Sequence, residues 1–462
     1  MFRKLLTFFS KISPKEIVKL IIVFELSVAL FFASVVINNN DPVPGRGFEA
    51  AKVNVIQVSS TIIIFTTFVF LAFALFNYSS NKTDLITGLK KLWKSWKSLL
   101  FMGFLSLSLI ISTQISPFKE VATQGNIFRF QGLSTYLPML LACYILYKCI
   151  NRKTYHIIAS AIILSGIFQA FMAFSQIFTL SKTDPSKLTE GIWINGYYGQ
   201  ANFFSGHLMI AIILAAYYLS TKSLKFIGDK KQKLAVIFLN IVVLTILITA
   251  MILSYSEWGW VSLVASAIII FSFELMPRKV FRIFIVVFIA LVSAGSLFVI
   301  SNFPRYELRI EIWQKIRDIF VHNIEVGDYR YVVFGYGFDT LADIFKKFAY
   351  FPTLVIDRGH NIIFDILIQT GAAGIAFFLI ILGRIGSGFK KVTSNRLLFF
   401  ITAAFVLFIF KSLVNEYSIT NFFQWLVLGA CALKVLTIDE DDDPHNPVDN
   451  VLTLEDESLR KV

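Results

Sequence analysis

The sequence predicts an all-α polytopic membrane protein, and three observations carry that prediction. The first is composition. Of 462 residues, 56% are hydrophobic and only 16% are charged, whereas a soluble domain is about 45–50% apolar and about a quarter charged. The second is patterning. The apolar residues fall in runs of roughly 20, the length that crosses a hydrocarbon core of ~30 Å, and they do not alternate as barrel strands do. The third is charge. The lysines and arginines behind the net charge of +13 collect in every second connecting segment, as they do in cytoplasmic loops. In a soluble chain such a charge would point to nucleic acid. Membrane topology accounts for it here, and no nucleic-acid partner is expected.

Twelve spans are expected, at about 17–37, 55–77, 98–115, 133–150, 156–180, 203–220, 234–253, 258–276, 280–300, 361–383, 397–414 and 421–437. The first apolar run lacks a small-residue cleavage site, so it reads as a span and not a cleaved signal peptide. With the N-terminus inside, inner segments carry Arg3, Lys4 and Lys11, then Lys90, Lys91 and Lys94, then Arg152 and Lys153. Later ones carry Lys230, Lys231 and Lys233, then Arg278, Lys279 and Arg282, then Arg384, Lys390, Lys391 and Arg396. Both termini are therefore expected in the cytoplasm.

One outer segment breaks the rule. Residues 302–360 carry Arg305, Arg309, Lys315, Arg317, Arg330, Lys346, Lys347 and Arg358. Long loops escape the charge rule, and a long loop in a compact protein is usually functional. Ile312, Trp313, Ile316, Ile319 and Phe320 recur at helical spacing, which predicts an amphipathic helix over Glu307–Phe320. A Gly335-Tyr336-Gly337 turn then leads to a second helix near Asp339–Tyr350. The expected domains are a transmembrane region 1–437 and an acidic, disordered cytoplasmic tail 438–462. The tail's Asp441, Asp442, Asp443 and His445 offer a metal-binding alternative. Cys143, Cys149 and Cys431 lie in apolar runs without metal or disulfide spacing, and read as small core residues.

Polar residues near membrane depth are functional candidates, and they gather at one end. Arg129 precedes span four, Gln200 and Asn202 precede span six, and Glu257 opens span eight. Arg309 and Trp313 lie on the loop helix, and Arg358, His360, Asn361 and Asp365 open span ten. There is no HExxH, inner-loop P-loop, GxSxG elbow or magnesium-type acidic cluster. Arginine suits phosphate through its planar fork, and histidine accepts a proton near neutral pH. That combination fits group transfer from a pre-activated, diphosphate-linked donor. Each residue also has a structural reading. His360 and Asn202 can be helix caps, Glu257 can cap span eight, and the arginines can snorkel to lipid phosphate. Gly371 and Gly374 fit close packing of span ten on a neighbour. Glu25 and Lys411 lie within spans without an evident partner.

The order of these residues resembles the O-antigen ligase and polymerase superfamily, bacterial membrane proteins with a Wzy-C-type domain. The family pattern is an HN pair opening a helix, a following polar residue and a glycine pair, here His360-Asn361, Asp365 and Gly371/Gly374. Upstream it has an arginine, a tryptophan and a G-x-G turn, here Arg309, Trp313 and Gly335-Tyr336-Gly337. Gly199-Gln200-Ala201-Asn202 is similar to the family's G-x-x-N element. The likeness covers about residues 120–435. It implies a metal-independent, cofactor-free, GT-C-like glycan transferase at the outer face of a bacterial cytoplasmic membrane. The implied partners are an undecaprenyl-diphosphate-linked glycan donor, a glycolipid, glycan or protein acceptor, and membrane lipid. The implied roles are general base for His360 and diphosphate binding for Arg309, with Arg358 and Arg129 as further candidates. Asn361 and Asp365 would hold geometry, and Glu257, Asn202 and Gln200 would support the site or bind sugar. The chain departs from the family at Ser256-Glu257, where many members have Ser-Arg. Ligase, polymerase and protein O-oligosaccharyltransferase share this pattern. The rival class is a twelve-span secondary transporter or flippase.

Overall fold

The computed structural model describes residues 14–36, 46–78, 96–183, 194–219, 230–302 and 306–437. The acidic tail, with its Asp441–Asp443 and His445 alternative, lies outside the described residues. So do the basic residues of the N-terminal segment and of the segments 79–95 and 220–229.

All elements among the described residues are helices. In order they are α1 (Pro14–Val35), α2 (Arg46–Tyr78), α3 (Trp96–Ile115), α4 (Lys119–Gln124), α5 (Leu133–Cys149) and α6 (Arg152–Thr183). Then come α7 (Ala201–Leu219), α8 (Lys230–Leu253), α9 (Glu257–Leu275), α10 (Arg278–Asn302), α11 (Glu307–Glu325) and α12 (Tyr329–Phe334). The last five are α13 (Leu341–Lys347), α14 (Ile362–Ser387), α15 (Phe389–Ser394), α16 (Arg396–Ser412) and α17 (Ile419–Thr437). Apolar runs become helices because lipid offers backbone N–H and C=O groups no partner, and a helix satisfies them internally.

Among the described residues, nine helices are long and apolar enough to cross a membrane: α1, α2, α3, α6, α7, α8, α9, α14 and α17. The other three expected spans fall on α5, α10 and α16, which lie outside this set; α5 and α16 have 17 residues each. Phe24, Phe65, Phe68, Phe238 and Phe271 are 65–68% exposed, an outward apolar surface suited to lipid tails and costly in water. The most buried of the nine are α7 and α17. Around them α16 packs on both, α5 packs on α17, and α6 and α8 pack on α7. Cys143 and Cys431 are buried in this core and unpaired, and Cys149 is half-buried.

The long outer segment folds as its periodicity predicts, with one addition. The helix expected over 307–320 continues to Glu325, and its Ile312, Ile316, Ile319 and Phe320 bury against Tyr336, Leu341 and Ile344. The short α12 was not expected, and α13 falls inside the expected 339–350 stretch.

The segment is anchored by a break in α14. Gly371 interrupts that helix at φ 63°, ψ −161°, a region only glycine occupies readily. The freed carbonyls are taken by the Gly335–Gly337 turn: Tyr336 N–H donates to Ile368 O at 2.8 Å and Gly337 N–H to Gln369 O at 3.0 Å. The Ser112 hydroxyl donates to the same Gln369 carbonyl at 2.7 Å. A Cβ on Gly371 would meet the Gly335 nitrogen and the Val333 carbonyl at 2.5 Å, and one on Gly335 would meet backbone of 369–371 at 2.5–2.6 Å. So Gly371 serves close approach, as expected, but its neighbour is the loop turn and not another span. Gly374 differs: its added Cβ would first strike Thr370 of its own helix. Gly371→Ala combines a backbone clash with a conformation costing about 1–3 kcal/mol. It is expected to lower the detergent-solubilised melting temperature more than Gly383→Ala, whose Cβ meets nothing within 4 Å.

Candidate active site at one end of the bundle

The site begins with the turn that carries His360. Asn361 has extended backbone and caps α14, its Oδ1 accepting from Ile363 N–H at 2.9 Å and Phe364 N–H at 3.4 Å. Such a cap satisfies donors that a helix start leaves open. Its Nδ2 donates to Leu413 O at 2.8 Å, tying α14 to the loop after α16. His360 takes a left-handed φ of 51°, a region His visits more often than most residues. The preceding peptide is clamped on both sides. Gly359 N–H donates to Asp365 Oδ1 at 2.7 Å, and the Trp313 indole donates to Gly359 O at 2.7 Å. Asp365 and Trp313 thus set the histidine's backbone, while its own side chain remains half-buried and reachable.

Two arginines neighbour this turn, and they are held differently. Arg129 donates through Nε to Asp357 at 2.7 Å and through Nη2 to Glu416 at 2.5 Å. Gln200 donates to the other Glu416 oxygen at 2.8 Å. Arg358 is fully buried, pairs with Asp339 at 3.2 Å and donates to Gln131. Asp339 also accepts from Asn126 N–H at 2.8 Å and Gln131 N–H at 3.2 Å. With no exposed surface, Arg358 cannot meet a diphosphate in this arrangement. Through these contacts it ties the 357–360 turn to Asp339 and to the segment before α5.

The third group lies beside the loop 413–418. Arg309, half-buried and 4.9 Å from the Tyr306 ring centre, donates to Val414 O and to Asn415 Oδ1, the latter at 3.2 Å. Asn202 Nδ2 donates to the same Asn415 oxygen at 3.4 Å. Lys411, the span lysine without an evident partner in sequence, donates to Asn202 O at 2.5 Å. Asn202 Oδ1 accepts from Ser256 Oγ at 2.8 Å, and Ser256 caps α9 by accepting from Gly259 N–H. The cap of span eight is therefore Ser256, while Glu257 is exposed on the first helical turn. Of the expected residues, the structure links Arg129 and Gln200 through Glu416, and Arg309 and Asn202 through Asn415.

Electrostatics explain why so many charges stay ionised. Burial raises the Asp357 carboxyl, but the Arg129 guanidinium outweighs burial and holds it below the usual range. Glu416 behaves likewise, with Arg129 first and His360 adding in the same direction. Burial disfavours the Arg129 and Arg358 cations, yet their carboxylate partners raise both above the normal guanidinium value. A carboxyl depressed in the fold contributes stability that is full above the unfolded value of about 4 and is lost as pH falls through the folded one. The contribution of these two carboxyls to the melting temperature is therefore expected to be full from neutrality to about pH 5 and to be lost below about pH 4. Arg129→Met strands two carboxylates and is expected to cost on the order of 3 kcal/mol at pH 7. Its deficit against wild type should shrink on acidification, because protonated carboxyls no longer need the cation. A deficit that grows on acidification would contradict this pairing.

Backbone strain gathers here. Of six non-glycine residues with positive φ among the described residues, Phe130, Asp339 and His360 belong to the site and Tyr255 adjoins it. Such conformations cost about 1–3 kcal/mol each and persist where the surroundings over-determine them. Chemically the site offers a reachable imidazole, cations and several carboxylates, all held by residues far apart in sequence. Asp339, Lys411, Asn415 and Glu416 were not singled out as site residues from sequence. The short polar stretch Val414-Asn415-Glu416-Tyr417-Ser418 between two apolar runs was the available signal for two of them. No family model matches the chain, and no curated protein or solved structure matches it either.

Proposed function

We propose that the chain is a membrane glycan transferase of the O-antigen ligase kind, with twelve spans, inward termini and this site facing outward. It moves a glycan from an undecaprenyl-diphosphate carrier to an acceptor hydroxyl. The observation that carries the reading is His360, reachable yet clamped through Gly359, beside Arg129, Asp357 and Glu416. The acceptor oxygen bonds to the anomeric carbon, the bond from that carbon to the diphosphate breaks, and the carrier leaves with the electron pair. His360 takes the acceptor proton, and in-line displacement inverts the anomeric centre. Arg309 is assigned to the diphosphate, since Arg358 is buried and Arg129 is held between two carboxylates. Gln200 and Asn202 support the loop that carries Glu416 and Asn415.

The test uses full-length protein in liposomes with an undecaprenyl-diphosphate-linked glycan and EDTA. Release of the diphosphate carrier, with a single transfer to an added acceptor, supports the ligase. A ladder of lengthening lipid-linked products makes it a polymerase of the same kind. The broken α14 favours one other reading, because discontinuous helices also build transporter sites. Glycan-lipid that crosses the liposome unchanged would move the assignment to transport.

A further inference from the structure

At the end of α14 opposite His360, the chain forms a cavity of about 510 Å³ between the end of α14, α15 and the end of α17. Its size is that of a small-ligand site. Three cations line it, Arg384, Lys390 and Lys391, with two hydroxyls, Ser387 and Ser394. None of its lining residues is acidic. One wall is apolar, made by Leu433 and Leu436. The corner is tightly built: a Cβ on Gly388 would meet Leu436 Cδ2 at 2.3 Å. Lys391 Nζ donates to Leu436 O at 3.2 Å, fixing α15 to the last turn of α17.

We propose that this cavity binds the phosphate headgroup of an acidic phospholipid in the adjoining leaflet. Cations and hydroxyls on one side and leucines on the other match a phosphodiester joined to glycerol and the first acyl carbons. A free phosphate has no use for the leucine wall. Basic pockets between helix ends are suited to anionic headgroups, and each cation near the surface adds attraction. The chain's own acidic stretch, from Asp439 to Asp443, is the competing occupant. It too would leave the apolar wall unused. The proposal stands independently of the transfer chemistry at the other end.

The experiment measures lipid retained by the full-length protein after exhaustive detergent washing, by mass spectrometry. The probes are dioleoyl phosphatidylglycerol and dioleoyl phosphatidylcholine. Wild type is expected to retain the glycerol lipid on the order of tenfold over the choline lipid. Arg384→Gln/Lys390→Gln/Lys391→Gln should lose that preference, and so should Ser387→Asp/Ser394→Asp, which leaves every cation in place. Lys97→Gln/Lys233→Gln/Lys279→Gln removes as many charges from the same end outside the cavity and should retain it. Equal loss in that control overturns the site. Displacement by millimolar inorganic phosphate overturns the lipid as ligand. A several-fold gain in retention on truncating after Thr437 overturns it in favour of the tail.

Discussion

Replacing His360 by asparagine is expected to leave a folded protein that no longer transfers glycan. Asparagine suits this position because it tolerates left-handed backbone about as readily as histidine, and His360 has φ 51°. The clamps on the turn, from Asp365 and Trp313, act on Gly359, so they survive the substitution. What disappears is the proton acceptor. General-base catalysis contributes about 10²–10⁴-fold, and a loss of that size in carrier release is expected with an unchanged melting temperature. His360→Ala should lose as much activity and also some stability, since alanine is less at ease with positive φ. Asp365→Asn separates positioning from chemistry. Its amide oxygen can still accept from Gly359 N–H, so it should retain far more activity than His360→Asn. A His360→Asn protein that transfers glycan at the wild-type rate would remove the imidazole from the mechanism.

How much of this was legible beforehand differs by scale. All twelve expected spans fall on helices, because long apolar runs leave the backbone little alternative, and the amphipathic α11 followed from spacing alone. The break in α14 was not legible. Gly371 reads as a packing glycine, and only the structure shows that its backbone meets Gly335. The gathering of polar residues at one end was visible, but not their pairing. Arg129 meets Glu416 across 287 positions and Asp357 across 228, and no local pattern encodes such distances. Arg358 shows the same limit: an arginine before the HN pair suggested a ligand contact, and nothing in the local pattern announces its pairing with Asp339. Lys411 has the same lesson in reverse. It looked stranded in a span and instead bonds the backbone at the start of α7.

The second large effect concerns stability. Arg358→Met is expected to cost about 3–5 kcal/mol, the range for removing one member of a buried pair. Methionine fills much of the volume, so the loss reports charge and hydrogen bonding more than a cavity. The stranded Asp339 retains only the N–H groups of Asn126 and Gln131, and Gln131 Oε1 loses its guanidinium while keeping the Tyr136 hydroxyl at 3.2 Å. Because Asp339 carries the charge part of the penalty, Arg358→Met/Asp339→Asn should recover part of the loss: asparagine removes the buried charge and still accepts both N–H bonds. Thermal unfolding in detergent measures this as a double-mutant cycle, with a coupling energy expected at about 1–3 kcal/mol. The same variants also separate support from donor binding. If Arg358 held the diphosphate, the double variant would stay inactive however stable it became. If it serves the turn, transfer should return with stability, because His360, Arg129 and Arg309 are untouched. A cycle with no coupling would mean that the 3.2 Å contact contributes nothing to the fold, and the turn beneath His360 would then rest on Asp365, Trp313 and Asn361 alone.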